Sequence, residues 1–162
     1  MSAPRISALV RGLDGAYGGP AWHGPHLRGA LDPLGEAEAA WRPAPGRPNA
    51  WELAVHAAYW KYRVLRHVAA APPAAFDEPG SNFFARPAAG RTLAADLARL
   101  DVWHERLRDA AAGLDPERLD EIAYDAYTFE ALLRGAAAHD AYHAGQVRLL
   151  VRLRESLGPQ RA

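Results

Sequence analysis

Residues 138–146 read Ala138-His139-Asp140-Ala141-Tyr142-His143-Ala144-Gly145-Gln146, inside a helical pattern that runs from Thr128 to Gly158. Steps of four and three through that pattern give Leu132, Ala136, His139, His143, Gln146, Leu150, Leu153 and Leu157. That spacing draws one stripe along one face of a helix. The stripe is apolar at its ends and polar for three consecutive members in the middle. Imidazoles and an amide are buried at a cost unless they find partners. Two histidines one turn apart can offer two nitrogens to a single metal ion.

Working upstream, Thr128 is a good N-cap for this last helix, and Thr92 for the one before it. The inward positions of that earlier helix are Leu93, Leu97, Leu100, His104, Leu107, Ala111 and Leu114. Asn49 starts another, with Glu52 three residues on to complete a capping box. To about Ala69 this helix is apolar on two sides, through Trp51, Val55, Ala58, Tyr62 and Leu65 and through Leu53, His56, Trp60 and Val64. Such a helix belongs at the centre of a fold. Between Pro72-Pro73 and Thr92 no periodicity is visible. Antiparallel neighbours need only a few connecting residues, so this length predicts a crossover between parallel helices. Residues 5–13 predict a first helix, with shorter turns at 25–31 and 36–41, and Asp115-Pro116 opens a brief turn. The sum is an all-α four-helix bundle.

The 162 residues suit one domain spanning 1–162, large enough for a substantial core. Lys plus Arg and Asp plus Glu balance at 19 each, so no global charge recruits nucleic acid or an anionic membrane. No basic helix or nucleic-acid reading motif is present. Lys61 is the single lysine, a feature of codon bias in an arginine- and alanine-rich chain. Without cysteine there is no disulfide, thiolate ligand or thiol nucleophile. The apolar run Ile6–Val10 is too short for a signal-peptide core, and no segment is long enough to span a bilayer. The expectation is a soluble cytoplasmic protein.

An isolated pair of histidines four apart is a weak signal, and on its own it is better explained by two core histidines bonded to backbone or water. His56, about two turns into the most buried helix, strengthens the metal reading, because an antiparallel partner would bring it level with the last helix. Three imidazoles leave an open coordination position, as in catalytic zinc sites. Nitrogen-only ligation suits zinc or nickel, and also iron or copper. His104 is a rival ligand; with two parallel helices starting level it lies roughly 9 Å further along than His56, at about 1.5 Å per residue, which fits a packed core histidine. His67 is expected at terminal carbonyls, and His23 and His26 on the surface, with His23 a candidate for a pocket mouth. Glu52 is expected to cap, with a second possibility of orienting an imidazole. Gln146 is expected either to hydrogen-bond a substrate or a metal-bound water, or to pair with backbone. Asp140 points about 100° from His139 and is expected in solvent or a surface pair.

Trp51-Glu52-Leu53-Ala54-Val55-His56-Ala57-Ala58-Tyr59-Trp60-Lys61, followed far downstream by His139-Asp140-Ala141-Tyr142-His143-Ala144-Gly145-Gln146, resembles the DinB/YfiT-like superfamily. Ala21-Trp22-His23-Gly24-Pro25 and Trp41-Arg42-Pro43-Ala44-Pro45-Gly46 resemble its first-helix region. The resemblance implies an up-down-down-up bundle with a metal held by His56, His139 and His143. It implies either a thiol-dependent transferase or isomerase, using an external low-molecular-weight thiol, or a hydrolase. In that reading Gln146, His23 and Glu52 are the candidates to act on a small-molecule substrate. A non-catalytic metal- or ligand-binding bundle is the alternative. Trp41, Trp103 and Tyr124 exceed the needs of a small bundle, and with the resemblance they predict a homodimer.

Overall fold

Side-chain caps decide where the three longest helices begin. In the computed structural model, which describes residues 3–158, Asn49 Oδ1 accepts from Glu52 N at 2.8 Å and opens α4 (Ala50–Val68). Thr92 Oγ1 accepts from Ala95 N at 3.2 Å and opens α5 (Leu93–Ala112). Thr128 Oγ1 accepts from Ala131 N at 3.1 Å and opens α6 (Phe129–Leu157). Each bond satisfies one of the donors a helix start leaves unpaired. Upstream lie α1 (Ala3–Tyr17), α2 (Leu27–Leu31) and α3 (Glu36–Ala39).

The first helix continues to Tyr17, past the expected end at residue 13. Ile6, Leu9, Leu13, Ala16 and Tyr17 are all buried at helical spacing, and that packing outweighs the low helix propensity of Gly12 and Gly15. Between α5 and α6 the chain forms a 3₁₀ turn, Pro116–Asp120, and a two-stranded antiparallel hairpin of β1 (Ile122–Tyr124) and β2 (Tyr127–Thr128). Asp125 occupies the tight turn with φ +53°. The expectation of a simple turn misses these strands, although Ile, Tyr and Thr suit extended backbone.

Each long helix packs on two others: α4 on α5 and α6, and α1 on α5 and α6. Trp51 Nε1 donates to Asp96 Oδ2 at 2.7 Å, and further along both helices Tyr62 meets Trp103, so α4 and α5 run the same way. On α6 the order reverses, since Lys61 pairs with Asp140 while His67 shares a cavity wall with Leu132. Asp14 bonds Arg108 and Tyr17 bonds Asp101, which sets α1 against α5.

All seven expected inward positions are buried, six on α5 and Leu114 just past its end. On α6 the buried set is Phe129, Leu133, Ala136, Asp140, His143, Ala144 and Val147, which places three members one residue later than expected. Leu132 and His139 are therefore at the edge of the core, and Leu157 is largely exposed. Trp41 and Trp103, expected to serve a subunit interface, are core residues; Tyr124 is exposed. No helix among the described residues is long and apolar enough to cross a membrane.

Candidate metal centre

His139 and His143 are one turn apart on α6 and reach His56 near the start of α4. His139 Nε2 lies 3.2 Å from His56 Nε2 and 3.0 Å from His143 Nε2, and the three ligand atoms lie within 4.8 Å of one another. Around a tetrahedral ion with metal–nitrogen bonds of about 2.0–2.1 Å, nitrogens are separated by about 3.3 Å. Both contacts of His139 are close to that separation.

The outer nitrogens fix the tautomers. His56 Nδ1 is 2.9 Å from the carbonyl of Asn82, which can only accept, so Nδ1 carries the proton and Nε2 a lone pair. His143 Nδ1 is 2.6 Å from Gln146 Oε1, another acceptor, so its Nε2 is also a lone pair. His139 Nε2 faces both lone pairs, and a single N–H there can point at only one of them. A cation satisfies all three nitrogens; among protons alone, one contact is lone pair against lone pair. The donor set therefore fits a metal ion.

Electrostatics keep the rings in the neutral form that metals require. Burial, then His143, His56 and Lys61, push His139 down to about 3. Burial and His56 push His143 down to about 4, against the opposing bond to Gln146. Burial lowers His56, opposed by the Asn82 carbonyl. The Phe83 ring stacks on His56 with centroids 4.2 Å apart. His56 and His143 are buried, and His139 is half-buried.

Asn82 and Phe83 come from the aperiodic connection between α4 and α5, and nothing in helical spacing pointed to them. The aromatic pair Phe83-Phe84 in a stretch of bends and turns was the available signal. Asn82 adopts φ +65°, a left-handed conformation that asparagine tolerates, and its side chain also accepts from Trp60 Nε1 at 3.0 Å. Gln146 bonds His143 rather than backbone, while its Nε2 donates to Tyr142 Oη at 3.0 Å.

Three expectations need correction. Asp140 is buried rather than solvated, 1 % exposed and paired with Lys61 at 2 %, because the core stripe of α6 runs one residue later than its hydrophobic pattern suggests. Glu52 caps α4 and also bonds Arg42 and Arg86 N, so its carboxylate is committed elsewhere than an imidazole. Burial raises its pKa, but Arg42 and the N–H groups of Arg86 and Asn49 outweigh that and hold it below the ordinary value. His67 places its ring on Tyr124, 4.4 Å between centroids, rather than on terminal carbonyls.

The other histidines fall outside the cluster. His104 is buried and stacked on Tyr17 at 3.8 Å, and burial with Lys61 and Arg108 pushes it down to about 3. His26 caps α2 by accepting from Gly29 N at 2.9 Å. His23 is exposed and lines no wall of the cavity beside His139.

Fold and site together define a helical bundle with a three-histidine centre between two helices. The model of the DinB superfamily matches residues 22–147, well over half of the chain, and the chain belongs to that superfamily. No curated protein and no solved structure matches it.

Proposed function

We propose that His56, His139 and His143 hold one divalent transition-metal ion, zinc or nickel, and that the protein is a metal-dependent enzyme of the thiol S-transferase or hydrolase type. The observation that carries this reading is the convergence of three Nε2 atoms, two of them lone pairs by their tautomers, on one point. In this reading the long helices take the up-down-down-up order, supported by the parallel pairing of α4 with α5. When bound, the ion supplies Lewis acidity toward a water or an external thiol. With no cysteine in the chain, any thiol comes from outside.

The chain's own residues orient and shield. The Asn82 carbonyl and the Phe83 ring fix the plane of His56, while Gln146, steadied by Tyr142, fixes His143. His139 forms part of the wall of a cavity of about 220 Å³ between α4 and α6, so a substrate there lies against the centre. Assay of the metal-loaded protein with a low-molecular-weight thiol and electrophilic substrates, or with hydrolysable esters and amides, tests the proposal. Turnover is expected to vanish on chelation and in His139→Ala. Turnover that survives both contradicts it.

A further inference from the structure

Arg86 lies in the aperiodic connection between α4 and α5, yet its side chain is 1 % exposed. Its guanidinium donates twice to Glu78, at 3.1 and 2.7 Å, and to Asp96 Oδ2 of α5 at 2.5 Å. Its backbone N–H donates to Glu52 Oε1 at 3.1 Å, and its carbonyl accepts from Asn49 Nδ2 at 2.8 Å, both at the start of α4. Arg99 of α5 also donates to Glu78, at 3.0 Å. Burial raises the Glu78 carboxyl, but Arg86 and Arg99 outweigh it and hold it down at about 2, so the pair is ionised.

Glu78 and Arg86 are the two ends of a loop. Residues 79–85 between them turn back through Gly80 at φ +123° and Asn82 at φ +65°. Phe84 is buried against Gly80, where a Cβ would come within 3.2 Å of its ring. The part of the loop left to face the metal centre is Asn82-Phe83, the carbonyl and the ring that hold His56. Ion pairs this deep lose to desolvation much of what they gain in attraction, so stability alone is a weak reason for them. Tying both ends of a short loop fixes where its tip lies, and a metal-ligating histidine takes its tautomer and orientation from such a partner.

We propose that Glu78 and Arg86 form a clasp that holds the Asn82 carbonyl on His56 Nδ1, and so act as positioning residues that set the affinity of a metal centre they do not touch. That role rests on the proposed metal centre; the loop and its hold on His56 belong to the chain itself. Coupling between sites is reciprocal, so an ion on His56 in turn steadies the loop.

Zinc affinity, measured by competition with a chelator, is expected to fall about tenfold in Glu78→Ala. Leu119→Ala, a buried site in the 3₁₀ turn, is the control: it lowers the melting temperature and leaves zinc affinity unchanged. Nitrogen-15 NMR of the metal-free protein at pH 8 is expected to show His56 with its proton on Nδ1 in wild type and a mixture of tautomers in Glu78→Ala. Hydrogen exchange of the wild-type amides at 79–85 is expected to be slower with zinc than with chelator. Unchanged zinc affinity in Glu78→Ala, an equal loss in Leu119→Ala, or loop exchange indifferent to zinc overturns the clasp. Should Glu78→Ala not fold, Glu78→Gln and the wild-type exchange comparison decide. If wild type takes up no zinc, the proposed metal centre fails, and the His56 tautomer still decides the clasp: a mixture in Glu78→Ala supports it, and a single Nδ1–H tautomer overturns it.

Discussion

Lys61 and Asp140 are 2 % and 1 % exposed, and among the described residues each is the other's only charged hydrogen-bond partner. Lys61→Met removes one charge and leaves the other buried. Breaking such a pair from one side costs about 3–5 kcal/mol. For a chain of this size each kcal/mol corresponds to about 2–4 °C, so the melting temperature should fall by about 6–20 °C. Burial already raises the pKa of Asp140, and Lys61 opposes that rise. Without the lysine the carboxyl titrates higher still, and protonation relieves the penalty. The loss of stability should therefore be full at pH 8 and shrink as pH falls. Replacing both residues, Lys61→Met with Asp140→Leu, removes the uncompensated charge and should recover most of the loss. Thermal and urea unfolding of wild type, the two single variants and the double variant complete the cycle. A loss under about 1 kcal/mol in Lys61→Met, or a double variant as unstable as the summed singles, would refute the buried pair.

Gln146→Leu removes the acceptor that fixes the His143 tautomer; metal affinity measured by competition with a chelator should fall about 10- to 100-fold with the fold intact. Unchanged affinity would show that the 2.6 Å contact does not orient the ring. His104 and His139 titrate at about 3 and His143 at about 4, below the ordinary 6.5, so the unfolded chain binds more protons in that window. Metal-free protein should melt at a constant temperature above about pH 6.5 and at falling temperatures as pH drops toward 4. Melting that is unchanged or higher at pH 4.5 would contradict neutral buried imidazoles.

Much of this arrangement is legible in the sequence because particular residues leave little choice. Asn49, Thr92 and Thr128 each sit before an apolar repeat and can do little but cap, and α5 presents leucines at such regular spacing that all seven inward positions follow. His139 and His143 are one turn apart whatever the phase of the helix, which is why the cluster survives an error in the stripe. That error has a physical cause. Around the site α6 is built from Ala136, Ala137, Ala138, Ala141 and Ala144, whose small side chains give little hydrophobic contrast to fix which face points inward. Only the partner on α4, the buried Lys61, reveals it. Asn82 and Phe83 lie in a connection with no repeat to read, and their role depends on a fold that closes back over His56.

Elemental analysis of protein made without a histidine tag, loaded with zinc or nickel and dialysed, tests the central claim most directly. The account predicts about one ion per chain in wild type and close to none in His56→Ala or His139→Ala, with helical circular dichroism preserved. Stoichiometric metal in those variants, or none in wild type, would contradict it.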